Sequence, residues 1–245
     1  MGIMKEEMRL DKYLAEGSVG TRSQVKQMIR KGRVRVNGEV VKKPELKVCV
    51  GIDRILADEK EICFEREIYI MLNKPAGVVS ATRDQREKTV LDLLTDQRRK
   101  DLFPAGRLDK DTEGLLLLTN NGKLAHDMLS PKKHVDKVYF ARIQGMVTEE
   151  DQKTFLKGVD IGEERLTLPA DLKILRSGAV SEIEITIREG KFHQIKRMFE
   201  AVDKKVIYLK RISFGPLALD TALQPGEFRY LTEKEIGLIK GETNG

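Results

Sequence analysis

The sequence is poor in the residues that most often carry metal, redox or membrane chemistry. Its 245 residues include only two cysteines and three histidines. Cys49 and Cys63 make neither a disulfide framework nor a zinc site, and three histidines exclude most His-rich metal chemistry. No apolar run approaches the ~20 residues that a membrane span requires; the candidates, at 69–72 and 115–118, fall far short. The amino terminus (Met4, Lys5, Glu6, Glu7, Met8, Arg9) lacks an apolar signal core. These absences predict a cytosolic protein with no membrane partner and no resident metal. What is present, 40% hydrophobic and 34% charged residues, describes a globular chain rather than a disordered one. The length suits one large or two small domains.

Charge is unevenly placed. The chain carries a net +6, and residues 1–57 alone hold 13 Lys/Arg against 7 Asp/Glu, which accounts for the whole excess. The remaining residues balance at 32 against 32. A positive module joined to a neutral one suggests that the first grips a polyanion while the second does something else.

The first module reads as two short helices and a hairpin. Leu10, Tyr13 and Leu14 fall at i, i+3, i+4, one apolar stripe. Thr21 with Gln24 three residues on is a capping-box signature. In the helix that follows, Val25, Met28 and Ile29 share one side, while Arg22, Lys26 and Arg30 recur every four residues on another. Next, 33–36 alternates with period two, and Asn37-Gly38 signals a tight turn before 39–41. A cationic helix face running into a strand that bears Arg33 and Arg35, with Arg9 before the first helix, could track a phosphate backbone. A helix made soluble by arginine is the plainer account, weakened by Arg33 and Arg35 on the next element.

The run Arg9-Leu10-Asp11-Lys12-Tyr13-Leu14, then Thr21-Arg22-Ser23-Gln24-Val25, then Gly32-Arg33-Val34-Arg35-Val36-Asn37-Gly38 resembles the S4-like RNA-binding domain of ribosomal and RNA-modifying proteins. The resemblance implies structured-RNA binding through the second helix and adjoining loop. It places an RNA-binding domain at 8–57. The charge-rich stretch 58–67 reads as a linker or short edge strand, and a second module runs from 68 to 241.

That second module mixes strands and helices. A buried strand opens it at 68–72 and stops at Asn73-Lys74-Pro75 and Gly77. Another lies at 115–119, ended by Asn120-Asn121-Gly122, and a third at 139–143. Thr148 with Asp151 caps a helix reaching Leu156. Ile183, Ile185 and Ile187 alternate with polar neighbours, a half-buried strand. Ile195, Met198, Phe199 and Val202 fit a helix stripe. The fold class is α+β with a mixed, mainly antiparallel sheet.

Two polar clusters stand out. In 106–114, Asp109, Asp111 and Glu113 followed by Gly114 have the look of a calcium loop, but the twelfth position is Asn120 rather than glutamate, and a strand follows instead of a helix. Calcium is rejected, and a two-metal nuclease would need further carboxylates. In 190–198 a helix starts just after a strand, with His193, Lys196 and Arg197 at i, i+3, i+4 on one face. Each residue alone fits a solvated basic helix; the set beside a Gly turn fits it less well.

Taken in order, Met71-Leu72-Asn73-Lys74-Pro75-Ala76-Gly77-Val78-Val79-Ser80, Gly106-Arg107-Leu108-Asp109-Lys110-Asp111-Thr112-Glu113-Gly114 with the leucines after it, Lys137-Val138-Tyr139, and Gly190-Lys191-Phe192-His193-Gln194-Ile195-Lys196-Arg197-Met198-Phe199 resemble the pseudouridine synthases of the RsuA type. Leu209-Lys210-Arg211-Ile212 and Gly215-Pro216-Leu217 extend the resemblance, which spans nearly the whole chain. Two positions depart from it: Asn121 where Asp is more usual, and Asp203 where a turn glycine is expected. The resemblance implies that Asp109 is the catalytic carboxylate. Tyr139 packs on the target base, with a general-base role open to it, and Lys196 pairs with Asp109. Arg107 holds the uridine out of the helix, and Lys74 and His193 complete the substrate-binding set. It further implies a monomer without cofactor acting on ribosomal RNA, as 16S RNA in an assembling small subunit.

Those roles suit the chemistry. Making pseudouridine breaks the C1′–N1 bond, turns the base and rejoins it through C5, with no redox equivalent. It needs an ionised carboxylate, acting at C1′ or by an elimination route toward C2′. Burial beneath a flipped base would favour its protonation; a nearby ammonium opposes that. The choice of 16S rests on Ser80-Ala81-Thr82 and Thr89-Val90-Leu91-Asp92-Leu93-Leu94, which look more like the small-subunit branch. A 23S enzyme of the same family remains open, as does a non-catalytic assembly factor, although the intact Asp109, Tyr139 and Lys196 argue against the latter.

Overall fold

The computed structural model describes residues 7–17, 19–62, 67–94, 102–130 and 133–241, so Cys63 lies outside the described residues. The chain divides into two compact units, residues 1–66 and 67–245.

In the first unit, α1 (Leu10–Glu16) and α2 (Arg22–Arg30) bury Leu10, Tyr13, Leu14, Val25 and Ile29 in one apolar core. The expected capping box is formed: the Thr21 hydroxyl accepts from Gln24 N–H, and the Gln24 side-chain oxygen accepts from Thr21 N–H at 2.9 Å. Asn37 and Gly38, at φ 51° and 91°, turn β2 (Val34–Val36) into β3 (Glu39–Val41), as a two-residue hairpin with positive φ at both positions requires. The unit holds more strand than two helices and a hairpin. β1 (Glu7–Arg9) pairs with β4 (Lys47–Cys49), and β5 (Ile55–Ala57) inserts beside β2. The segment expected as a linker or short edge strand supplies β6 (Lys60–Glu61), an edge strand on β5 that turns back through positive φ at Asp58 and Glu59. Strands of two or three residues carry too little alternation to be read from sequence.

In the second unit the described strands form one nine-stranded sheet. Its main path runs β11 (Asp171–Arg176), β12 (Val180–Ile187), β10 (Lys137–Gln144), β13 (Lys205–Phe214), β9 (Glu113–Thr119), β7 (Tyr69–Lys74) and β15 (Phe228–Tyr230). Two short strands join it: β8 (Phe103–Pro104) on β9, and β14 (Leu217–Ala218) on β13. All pairings are antiparallel except β9 with β13. At that seam Gly114 (φ 99°) passes so close to β13 that a Cβ there would stand 2.2 Å from the Arg211 carbonyl oxygen.

The central strands are buried on both faces, which explains their unbroken apolar runs. Ile70, Leu72, Leu116 and Leu118 enter one core, with α4 (Glu149–Lys157) and α5 (Gln194–Glu200) contributing Phe155, Ile195, Met198 and Phe199. Tyr69, Met71, Leu115 and Leu117 enter the other, covered by α3 (Gly122–Leu129) and α6 (Glu233–Lys240). Helix α4 carries the predicted capping box at Thr148 and Asp151. Asn121 caps α3, accepting from Leu124 N–H, so the departure from Asp keeps the same hydrogen bond. Asp203 adopts φ 58°, the conformation for which a glycine was expected.

Candidate active site

The Asp109 loop sits between β8 and β9, and its backbone is held from below by two buried side chains on the neighbouring segment. The Ser80 hydroxyl donates to the Leu108 carbonyl (2.8 Å) and accepts from Leu108 N–H (3.0 Å). Lys74, at the end of β7, is fully buried. Its ammonium donates to the carbonyls of Thr112 (2.8 Å), Pro75 (3.0 Å), Asp109 (3.1 Å) and Lys110 (3.3 Å). Gly77 N–H donates to Lys110 O at 2.7 Å, closing the loop against the following turn. Lys74 therefore does not reach a ligand, contrary to its expected substrate-binding role. Every proton it can offer is committed to carbonyl oxygens, and burial lowers its ammonium to about 8 against the opposing charges of Asp111, Asp109 and Glu113.

The Asp109 side chain leaves this clamp and meets a residue 87 positions away. Lys196, from α5, places Nζ 3.2 Å from Asp109 Oδ2. The same ammonium donates to both oxygens of Asp111, at 2.7 and 2.9 Å. Burial would lower the Lys196 pKa, yet hydrogen bonds to Asp111 and Asp109 leave it raised. Burial likewise raises Asp111, and Lys196 outweighs it, leaving that carboxyl lowered. Asp111, which the sequence placed in a rejected calcium pattern and in the family-like run but to which it assigned no role, is thus Lys196's nearest partner. Alternation along the loop was the available signal.

His193 stands at the amino-terminal cap of α5 in a left-handed conformation (φ 48°, ψ 34°), with Nε2 3.7 Å from Asp109 Oδ1. Tyr139, on β10, is nearly buried and lines a cavity of about 80 Å³ together with Arg107, Asp109, Thr112, His193 and Lys196. Arg107 is exposed at its rim. Asp109, Tyr139, Lys196, Arg107 and His193 therefore converge. Arg197 does not: it turns from the expected shared face to Glu163 (2.8 Å) and to the carbonyls of Phe192 and Ile161. As the residue after Lys196 it projects about 100° around the helix.

The candidate RNA face lies on the first unit. Arg22 and Arg30 are exposed on α2 with Lys26 half-buried between them, on a stripe beside the one that buries Val25 and Ile29. Lys26 Nζ is 3.9 Å from Asp11, whose carboxylate also takes both ends of the Arg9 guanidinium (2.8 and 3.0 Å). Arg33 pairs with Asp58 and Arg35 with Glu59 (3.1 Å). Both acids sit on the β5–β6 turn, so the positive strand expected after α2 is locally compensated. Exposed pairs of this kind contribute little to stability, because water screens them.

Comparison with known proteins covers both units. A family model for RNA pseudouridylate synthase matches residues 68–201, and an S4 domain model matches residues 8–52. The uncharacterized RNA pseudouridine synthase YtzG of Bacillus subtilis is 46% identical over 234 residues, covering 95% of this chain and 98% of that protein. Ribosomal small subunit pseudouridine synthase A of Vibrio cholerae is 40% identical over 237 residues, covering 95% and 99%. Its Escherichia coli namesake is 38% identical over 234 residues, covering 95% and 100%. A crystal structure of a pseudouridylate synthase, 38% identical, matches with a TM-score of 0.68 over 95% of this chain and 99% of that one.

Proposed function

The chain belongs to the RNA pseudouridylate synthases and carries an S4 domain at its amino-terminal end, and from that premise we propose that it isomerises a uridine of small-subunit (16S) ribosomal RNA with Asp109 as the reacting carboxylate. The choice of the small subunit is supported by the relatives that share nearly its full length and are named for that substrate. The observation that carries the assignment of the carboxylate is the Asp109–Lys196 ion pair at 3.2 Å on the wall of a cavity shared with Tyr139.

The chemistry follows from what each group can do. Isomerisation cleaves N1–C1′, rotates the uracil, forms C5–C1′, releases the C5 proton and places a proton on N1, with no net change in atoms or electrons. A carboxylate is required at the ribose, either adding to C1′ as the base leaves or removing the C2′ proton to open an elimination route; both start from the same side chain. Lys196 keeps a cation beside that carboxylate after the target base has excluded water. Tyr139 offers the uracil a ring to pack on. Extruding a base from a stacked strand costs a few kcal/mol, and stacking can return ~1–3 kcal/mol. Arg107, exposed at the rim, can occupy the space the base vacates. His193 lies close enough to Asp109 to contact the ribose or its phosphate. Lys74 and Ser80 act beneath the loop as positioning residues. Arg9, Arg22, Lys26, Arg30, Arg33 and Arg35 supply the sequence-independent grip on phosphates. A single chain holds both the grip and the carboxylate, which suits a monomer acting in the cytoplasm on ribosomal RNA of an assembling small subunit.

Tritium release from rRNA transcripts containing 5-³H-uridine tests the reading, because the label leaves with the C5 proton. The wild type should release tritium from 16S RNA or its assembly intermediates, while Asp109→Asn should release none and bind the same RNA with affinity within about threefold, since phosphate contacts dominate affinity. Release from 23S RNA alone would move the substrate to the large subunit. Turnover by Asp109→Asn would remove Asp109 from the reaction.

A further inference from the structure

Phe192 is 73% exposed, more than any other large hydrophobic residue among those described. Scattered exposed apolar residues need no explanation, but this one is neither on a loose loop nor remote from the site. Its ring stacks on the His193 imidazole, with centroids 3.8 Å apart and planes 18° from parallel. His193 in turn stands 3.7 Å from Asp109. The two rings form a ledge that begins at the carboxylate and extends outward into solvent.

The turn that presents this ledge is tied down on several sides. Lys191 N–H donates to the side-chain oxygen of the buried Gln194 (3.0 Å), whose amide nitrogen donates to Glu189 (3.0 Å). Arg197 donates to the Phe192 carbonyl (3.1 Å), and the Lys191 ammonium reaches the Arg165 carbonyl (2.8 Å). The left-handed backbone at His193 is a conformation that a non-glycine residue holds only when its surroundings impose it. A chain with only 5% aromatic residues thus fixes two rings side by side at the mouth of its active site and leaves the outer one wet. Such a surface suits a flat, unpaired π-system, and an RNA strand with one uridine extruded offers that in the neighbouring base.

We propose that Phe192, backed by His193, is a stacking platform for the unpaired base adjacent to the target uridine. The proposal rests on isomerisation at Asp109 and adds a second contact one nucleotide away. The platform reads an aromatic face rather than hydrogen-bond donors, so it tolerates any base but not its absence.

The test uses the full chain and an rRNA transcript that the wild type modifies. Phe192→Ala should raise KM in the tritium assay about tenfold or more, with kcat within about twofold. Phe192→Tyr should restore KM to within about twofold of wild type, and Phe192→Leu should behave like the alanine variant. With a synthetic RNA carrying an abasic residue beside the mapped target, wild type should lose a similar factor, and Phe192→Ala should lose no more. The side chain is exposed, so all three variants should melt with the wild type. Unchanged KM in Phe192→Ala would overturn the platform, as would rescue by leucine equal to tyrosine, or a loss confined to kcat. A wild type that releases no tritium from any rRNA overturns the isomerase reading itself, a different result from an active enzyme indifferent to residue 192.

Discussion

Lys74 and Lys196 lie on opposite sides of one loop, and their surroundings give them different work. Lys74 is fully enclosed and its ammonium is surrounded by four carbonyls; Lys196 is 20% exposed and faces two carboxylates. Removing Lys74 leaves buried acceptors with no donor, a cost of about 2 kcal/mol or more. Removing Lys196 breaks partly solvated ion pairs, which contribute ~1 kcal/mol or less. Lys74→Met should therefore lower the melting temperature of the larger unit clearly and lose activity as a consequence. Lys196→Ala should melt close to wild type and still lose most tritium release. Thermal melts read beside the tritium assay separate the two. A stable, active Lys74→Met protein would show that the carbonyl clamp is dispensable, and a fully active Lys196→Ala protein would show the same of the ion pair.

At the scale of elements, one arginine ties the last strand of the sheet to the helix that follows it. Arg229 on β15 bonds Asp220 (2.6 Å) through Nε and both oxygens of Glu235 (2.8 and 2.9 Å), a residue in the first turn of α6. Hydrogen bonds from Arg229, against the opposing effect of burial and with help from Thr232, pull the Glu235 carboxyl from 4.5 to about 2. A carboxyl whose folded pKa is depressed contributes its stability above the unfolded pKa and loses it as pH falls toward the folded one. The contribution of Glu235 is thus complete above about 4.5 and fades between about 4.5 and 2. Glu235→Gln should melt below wild type at pH 7, and the gap should close as pH is lowered through that window. A gap that stays constant from pH 7 to pH 3 would mean that the pair does not stabilise the fold.

For the whole molecule, the asymmetry of charge is the testable quantity. Reversing Arg22, Lys26 and Arg30 to glutamate removes the cationic stripe of α2 and leaves the buried Val25 and Ile29 untouched. RNA capture should weaken by a factor of ten or more. The slope of log affinity against log salt should also flatten, by roughly 0.7–0.9 for each phosphate that is no longer neutralised. Filter binding over a range of salt concentrations reads both. An unchanged slope would make the cationic face a matter of solubility alone.

How much of this was legible in the chain depends on distance along it. The capping boxes at Thr21 and Thr148, the Asn37-Gly38 turn, the alternation of Ile183, Ile185 and Ile187, and the doubly buried runs of β7 and β9 are relations between residues a few positions apart. Local backbone geometry and burial period decide them. Family resemblance alone was enough to pair Asp109 with Lys196. Closure of loops decided the rest. The Lys74 clamp joins residues 35 to 38 positions apart, the Asp111–Lys196 bond spans 85, and the pairing of Arg33 with Asp58 spans 25. A lysine in a sequence does not reveal whether its ammonium will meet carbonyls, carboxylates or phosphate. That is set by which strands become neighbours, and only the folded sheet brings them together.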